Sequence, residues 1–432
     1  MTKNIALKVR LYPTSEQIVL INKTLGCCRQ IYNTMLASRL KFYDENIKYK
    51  ELSKSEKIEI YKSYKAPTEK ELKTKFEYLK EVSSVALQQS RRDQETAFFK
   101  FFKGLAKFPK FHSKKKKNSY REVMNIHFDW NHRTVKLPKI GEVKFKNRSL
   151  PKWLNLQNYK LCNSNFLRSI TVSKNPCNQY YASILFEVEV PEVKKSFDDE
   201  NQVIGLDFSP AEMYVDSFGF NGIDNGYKPQ KQNHLKQLRK LQRRFARTKK
   251  DSKNREKIRI KFARLEKHIA DSRKDWIEKE TLRLLRKYQA IGVEDLTIKG
   301  LMRACKNARN YVDTSWSGFV QKMIDKSSRF NSQVVKADRF FASSKLCSVC
   351  GWKFKNLTLN IRKWTCPECG TSHIRDVNAA INLKNNAIES CRSNLHILLE
   401  EQKFKSVENT ESKAEEISVL AGVLDETERE VS

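Results

Sequence analysis

The 432-residue sequence predicts an α/β protein with an added strand-rich part and an added helical part. Three observations lead there. Two short apolar runs, Val203-Ile-Gly-Leu-Asp207 and Ala290-Ile-Gly-Val-Glu294, each end in a carboxylate and read as buried strands on either side of a long helical stretch. Residues 120–195 read as strands, including Arg168–Ser173 and Tyr180–Glu187. Residues 17–102 instead place their apolar residues at helical spacing.

In chain order, Ile5-Ala-Leu-Lys-Val-Arg-Leu-Tyr12 alternates as a half-buried strand should. Pro13-Thr14 ends it, and Thr14 or Ser15 can cap the next helix with Glu16 and Gln17 in the first turn. Ile18, Ile21, Leu25, Ile31, Met35 and Leu36 continue that helical pattern. Val82–Phe102 is another helix, with Ala97, Phe98, Phe101 and Phe102 as its stripe. Phe108-Pro-Lys-Phe111 and the run Lys114, Lys115, Lys116 and Lys117 break the helical texture before the strands begin. Val203–Asp207 and Met213–Ser217 form two successive strands. Residues 231–290 are helical again, with Leu235, Leu238, Leu241 and Phe245 on one face, as are Ile258, Phe262, Leu265 and Ile269. Residues 391–432 form a tail that is acidic beyond Glu400 and lacks aromatics after Phe404, which predicts disorder.

Lys and Arg number 84 against 50 Asp and Glu, a formal charge of +34. Such a surplus is poor for an enzyme of small neutral metabolites. It suits a polyanion, whose condensed counterions are released when Lys and Arg replace them. Residues 231–290 hold 22 basic residues and 7 acidic ones. Arg239, Lys240, Arg243, Arg244 and Arg247 lie there at helical spacing and are candidates for nucleic-acid backbone contact. The stripe beside them is expected to dock on the α/β core and turn the cations towards a channel, a solvated helical hairpin being the alternative. There is no apolar run long enough to span a bilayer and no charged-then-apolar leader, which predicts a cytoplasmic protein.

Ten cysteines in this length make no disulfide scaffold. Cys347-Ser-Val-Cys350 and Cys366-Pro-Glu-Cys369 have the spacing that folds four thiolates onto one tetrahedral zinc. Gly351 and Gly370 follow the pairs and suit the left-handed backbone of metal knuckles. Four thiolates leave no open position for water, so the ion would be structural. His373 is a weaker ligand candidate than any of the four. Cys27, Cys28, Cys162, Cys177, Cys305 and Cys391 are expected to pack as small apolar residues.

Three acids stand out: Asp207 on or just past one strand, Glu294 ending another, and Asp376 opening the helix that contains Asn378-Ala-Ala-Ile-Asn-Leu383. Two divalent metals about 3.5–4 Å apart need such a carboxylate cluster, and oxygen ligands favour Mg²⁺ or Mn²⁺. An acid at a strand end is, by itself, more often a solvated loop residue or a helix cap. The order strand-Asp, strand-Glu, ribbon, helix-Asp is far more specific than any one member.

That order resembles the RuvC-like nuclease of the TnpB family, the OrfB proteins of bacterial insertion sequences. Lys8-Val-Arg-Leu-Tyr-Pro-Thr14 with Gln17, then Gly26-Cys-Cys-Arg29 and Tyr32-Asn33, is similar to the family's N-terminal signature. Phe108-Pro-Lys-Phe111 with its lysines is similar to the basic motif. Val203–Asp207, Gly292-Val-Glu294 and Arg375-Asp-Val-Asn-Ala-Ala380 match the three nuclease motifs, with the ribbon between the second and third. Where the family commonly has Leu-Gly after the first Asp, this chain has Phe208-Ser209-Pro210, which restricts the backbone there.

The resemblance implies an architecture: a wedge β-barrel from residues 1–20 and 105–198, with a helical recognition lobe at 21–104. An RNase H-like (RuvC) nuclease domain follows at 199–390, with a zinc ribbon inserted at 340–372. It also implies an RNA-guided DNA endonuclease with Asp207, Glu294 and Asp376 as its metal-binding catalytic residues. The implied cofactors are structural zinc, catalytic Mg²⁺ or Mn²⁺ and a guide RNA from the element end; the implied partners are double-stranded target DNA and a separate transposase encoded by the same element. Tyr32 and Asn33 are candidates for reading a short motif beside the target, ordinary helix residues being the equal alternative. The alternatives are a nuclease-inactive RNA-guided DNA-binding repressor and a transposase acting on element ends.

Overall fold

The computed structural model describes residues 2–48, 53, 56, 60, 63–114, 118–146, 167–189, 199–228, 232–296, 315–358 and 360–392. Lys115, Lys116, Lys117, Cys162, Cys305 and the acidic tail lie outside the described residues. Two compact units emerge, one within Met1–Val190 and one within Pro191–Lys405. No described helix is long and apolar enough to cross a membrane.

In the first unit, β1 (Thr2–Leu11) buries Ile5, Leu7, Val9 and Leu11 on one face, as the alternation predicts. The helix α1 (Ser15–Tyr43) then starts on a capping box. Thr14 accepts from the backbone of Gln17, and the Gln17 side chain accepts from that of Thr14. Gln17 Nε2 also donates to the Glu142 carbonyl at 2.8 Å, tying the helix start to a strand. A second capping box, Thr68 with Glu71, opens α2 (Glu69–Lys75), and Ser83 caps α3 (Ser84–Phe102).

Six further strands follow: β2 (Ser119–Glu122), β3 (His127–Asp129), β4 (Thr134–Leu137), β5 (Gly141–Lys146), β6 (Leu167–Lys174) and β7 (Tyr180–Glu189). With β1 they form one antiparallel sheet in the order β2-β6-β7-β1-β5-β4-β3. The sheet curls enough to set Phe128 of β3 edge-on to Phe186 of β7, 5.6 Å between centroids. Its core is continuous with the helices: Ile21, Leu25, Ile31 and Leu87 pack with Leu7, Ile170 and Ile184. A smaller cluster of Tyr32, Leu36 and Phe98, joined by Phe101, Phe102 and Phe108, sits beside it. Cys27, Cys28 and Cys177 are buried as small apolar residues, and Cys391 is half-buried.

Tyr32 and Asn33 lie in α1 and face the loop that precedes β2. Tyr32 is 4% exposed and stacks on His112 at 3.5 Å. The Asn33 carboxamide donates to the His112 carbonyl and accepts from its N–H, at 2.9 and 2.7 Å. Both residues hold the basic loop against α1.

The second unit is built on a four-stranded sheet in the order β11-β10-β8-β9. β8 (Val203–Ser209) runs parallel to β10 (Ala290–Glu294), which runs parallel to β11 (Gln333–Ala337); β9 (Met213–Asp216) is antiparallel to β8. β8 continues through Phe208 and Ser209, so Asp207 lies within the strand, and Phe208 rests on Trp316 at 5.4 Å. The departure at residues 208–210 therefore leaves the strand intact.

Between β9 and β10 come α4 (Gln232–Arg247) and α5 (Lys253–Lys287). The apolar stripe of α4 was expected to dock on the sheet core; instead α4 packs along α5. Arg255 of α5 lies over the Phe245 ring and donates to the Phe245 and Thr248 carbonyls, closing the turn between the helices. Ile277, Leu284 and Leu285, near the end of α5, join Ile204, Leu206, Ile291 and Val293 in the core with Trp316 and Phe319 of α6 (Trp316–Ser327). At the same root, buried Glu280 accepts from the Tyr214 hydroxyl and from both arms of Arg283, 2.7 and 2.9 Å away. Asn225 donates to the same hydroxyl at 2.8 Å.

Glu122 of β2 is a test of the first unit. It is 0% exposed, its Oε2 accepts from Ser83, and its Oε1 has no hydrogen-bond partner among the described residues. Burial pushes its carboxyl up to about 7, against roughly 4.3 in an unfolded chain. The folded state therefore keeps a proton that the unfolded state has lost, and stability falls as pH rises from roughly 4.3 to 7. Glu122→Gln should flatten that slope and stabilise the protein at pH 8 by up to about 3 kcal/mol. Thermal unfolding at pH 5 and pH 8 measures it; unchanged pH dependence would remove Glu122 as the cause.

Candidate active site

Strand periodicity decides which way the acids face. Successive residues alternate sides, so Val203, Gly205 and Asp207 share one face of β8, and Ala290, Gly292 and Glu294 share the same face of β10. Ile204, Leu206, Ile291 and Val293 point to the opposite core. The register pairs Gly205 with Gly292 and Leu206 with Val293, so Asp207 and Glu294 follow side by side.

The helix α7 (Arg375–Arg392) lies on that glycine face. A Cβ at Gly205 would come within 1.9 Å of the Ala380 carbonyl oxygen, and one at Gly292 within 2.2 Å of that of Leu383. Only glycine admits so close a backbone. Each glycine sits two residues before its carboxylate, while Asp376 lies in the first turn of the helix resting on them. Three acids far apart in sequence thereby reach one end of one sheet face.

Their electrostatics agree with that placement. Burial first, then the negative charges of Glu294 and Asp376, hold the Asp207 carboxyl well above the ordinary carboxylate range, with Arg375 acting against them. Asp207 keeps some solvent contact, yet protein crowds its carboxyl closely enough for desolvation to dominate. Burial also raises Glu294, opposed by the Ser343 hydroxyl that donates to it and by Arg375. Asp376 pairs with Arg362, whose Nη1 is 3.2 Å from both carboxylate oxygens. This cluster of acids, two of which strain against their own charge, is suited to a cation.

The ribbon lies next to it in sequence. The Sγ atoms of Cys347, Cys350, Cys366 and Cys369 all fall within 4.8 Å of one another, and two pairs are 3.6 Å apart. Tetrahedral thiolates at about 2.3 Å from a zinc would stand about 3.8 Å apart, so the set fits a metal. The amides of Gly351 and Gly370 donate to the Cys347 and Cys366 carbonyls at 2.9 Å, with φ of 77° and 70°, which makes both turns knuckles. Among the described residues no other group of His, Cys, Asp and Glu closes so tightly; the three acids stand further apart. His373 is buried with Nε2 3.1 Å from Cys347 Sγ, as a hydrogen-bond partner of that sulfur. β12 (Lys363–Thr365) and β13 (Ser372–Ile374) close the ribbon, and β13 runs directly into α7.

Arg239, Lys240, Arg243, Arg244 and Arg247 of α4 are all exposed, and among the described residues none pairs with a carboxylate. Lys114 is exposed too.

Three family profiles match the chain: "Helix-turn-helix domain" over residues 1–48, "Probable transposase" of the OrfB type over 183–304, and "Cas12f1-like, TNB domain" over 316–383. Over 382 residues the chain is 33% identical to a Streptomyces pristinaespiralis protein named "Putative RNA-guided DNA endonuclease", covering 88% of each. The chain belongs to the TnpB (OrfB) family. A second TnpB-family relative, InsQ of Escherichia coli K12, carries the same description and is 26% identical over 395 residues, 88% of this chain and 91% of that protein. The Cas12f1 chain of a cryo-EM complex with sgRNA and target DNA aligns at 14% identity and a TM-score of 0.46, over 89% of this chain and 99% of that one. In this family member the stretch matched as helix-turn-helix is β1 followed by a 29-residue helix that runs on into a π-helical segment, Asp44–Lys48.

Sequence reasoning missed the supporting residues. The repeated Gly-x-acid at 205–207 and 292–294 was a readable signal for the helix contact. Ser343, Arg362, Asn378 and Asn382 carried none that spacing alone could decode. Gly205→Ala should force α7 away from the sheet, with a loss of at least 1–3 kcal/mol and of cleavage. Gly318→Ala, where an added Cβ meets nothing within 4 Å, is the matched control and should leave the melting temperature unchanged or slightly raised. Equal melting temperatures for the two variants would contradict the close-contact account.

Proposed function

We propose that this chain is an RNA-guided DNA endonuclease that hydrolyses target phosphodiesters at Asp207, Glu294 and Asp376. The observation that carries the reading is the convergence of the three acids at one end of one sheet face, where burial and then the charges of the other two raise Asp207. The second unit reads as an RNase H-like (RuvC) nuclease domain and the curled sheet of the first as a wedge barrel with a helical recognition insert. The four cysteines are proposed to hold one structural zinc, and the carboxylates Mg²⁺ or Mn²⁺. Bound divalent metal would supply Lewis acidity to the attacking water and the leaving oxygen.

The chain's own residues do the rest. Ser343 and Arg362 hydrogen-bond Glu294 and Asp376 and so orient their carboxylates. The exposed cations of α4 hold a nucleic-acid backbone, which suits a guide-target duplex recognised by shape while pairing reads its sequence. The guide RNA and the DNA target belong to this proposal by likeness to a relative named an RNA-guided DNA endonuclease.

Asp207→Ala should abolish cleavage while guided DNA binding stays within about twofold, measured on the same protein–RNA complex. Cleavage at the wild-type rate would end the assignment. Arg243→Ala with Arg244→Ala should weaken every guided target by a similar factor. It should also lower the slope of log affinity against log salt by about two, at about 0.9 per phosphate contact. An unchanged slope would make α4 a solvated face and return the channel to other residues.

A further inference from the structure

Residues 343–348 touch both chemistries of the second unit. At one end the Ser343 hydroxyl donates to Glu294. At the other, Cys347 is one of the four clustered thiols. Two asparagines of α7 grip the stretch between. Asn378 donates to the Leu346 carbonyl at 2.7 Å and accepts from the Ser348 N–H at 3.0 Å, so one carboxamide straddles Cys347. Asn382 donates to the carbonyls of Leu346 and Ser343, at 2.8 and 2.7 Å.

Both asparagines are buried, at 1% and 6% exposure. They stand four residues apart and so lie on one side of the helix. Asparagine is a poor helix former, and a buried carboxamide is costly unless its partners are met. Neighbouring buried positions of α7 are Ala379, Ala380, Leu383 and Ala387, so the two amides interrupt an otherwise apolar face. Helix stability does not account for them; the backbone they bind does. Asn378 is also only two residues from Asp376.

We propose that Asn378 and Asn382 are positioning residues that lock the 343–348 stretch to α7, so that the ordered ribbon fixes Glu294 against Asp376. The linkage runs both ways from the clamp: through Cys347 to the ribbon, and through Ser343 to the Glu294 carboxylate. A further tie crosses the ribbon, where Arg362 pairs with Asp376 and its carbonyl accepts from the Arg375 N–H at 2.9 Å. The ribbon is on this account a brace for the carboxylates as well as a folded module. The inference rests on the reading of Asp207, Glu294 and Asp376 as the catalytic acids.

The test uses the complete protein–RNA complex with Ser343→Ala, Ser343→Thr, Asn382→Ala and Asp207→Ala. Zinc per chain, guided DNA binding, melting temperature, the Mg²⁺ dependence of cleavage and direct Mn²⁺ binding by electron paramagnetic resonance are measured. The Asp207→Ala complex supplies the Mn²⁺ background. Ser343→Ala and Asn382→Ala should keep zinc and guided binding but raise the half-saturating Mg²⁺ and the Mn²⁺ dissociation constant about tenfold, the scale of losing a group that orients a metal ligand. Ser343→Thr, which keeps the hydroxyl, should restore both. If Asn382→Ala does not fold, Asn378→Ala, which leaves both Asn382 bonds in place, is measured instead and should show the same shift in metal dependence. Unchanged metal dependence in Ser343→Ala, or a lower melting temperature with normal metal dependence, overturns the brace and leaves a structural contact. Cleavage by Asp207→Ala would instead overturn the catalytic reading itself.

Discussion

Direct contact between a helix backbone and a sheet, at two positions that lack side chains, sets the geometry of the second unit. Gly205 and Gly292 pair across β8 and β10, and α7 settles onto both. Were either residue larger, the helix would ride higher and Asp376 would leave the plane of the other acids. Small side chains on the helix continue the theme, with Ala379, Ala380 and Ala387 buried beneath it. Aspartate has a short reach, so the separation of backbones decides whether two aspartates and a glutamate can serve one ion.

That closeness works against the fold. Desolvation and like charge hold Asp207 away from its ionised form, and Glu294 is raised as well. Arg375 and Arg362 offset part of the repulsion, and Ser343 supplies Glu294 with a donor. Sites that bind cations commonly sit where a protein has given up stability for function. Here the sacrifice is confined to one end of a sheet whose other face is filled by Trp316, Phe319, Leu284 and Leu285.

Much of this could be read from residues alone, for physical reasons that differ by element. Caps and strand alternation are local, so Thr14 with Gln17 and the inward face of β1 needed no tertiary knowledge. Metal knuckles are local too, which made the four cysteines legible. The acids could be picked out as candidates because Glu294 ends β10, Asp376 opens α7 and Asp207 stands near the end of β8. A signature match says nothing of which way a helix residue faces, so the contact of Tyr32 and Asn33 with the 107–113 loop was not readable. The α4 stripe misled because amphipathic periodicity states that a face is covered without naming its cover, here α5. The asparagine contacts depend on a fold that brings residues 343–348 beside α7, which no period records.

The long hairpin shows one more thing. At 1.5 Å per residue α5 runs for about 52 Å. Its core side chains begin only at Trp276 and Ile277, and the Glu280–Arg283–Tyr214 knot fastens it at the same level. Beyond that knot, among the described residues, α4 and α5 pack along each other. The outer hairpin is therefore an appendage that insertion, deletion or exchange can reshape while the sheet beneath it stays as it was. The length of the hairpin and the integrity of the carboxylate cluster can evolve on separate clocks.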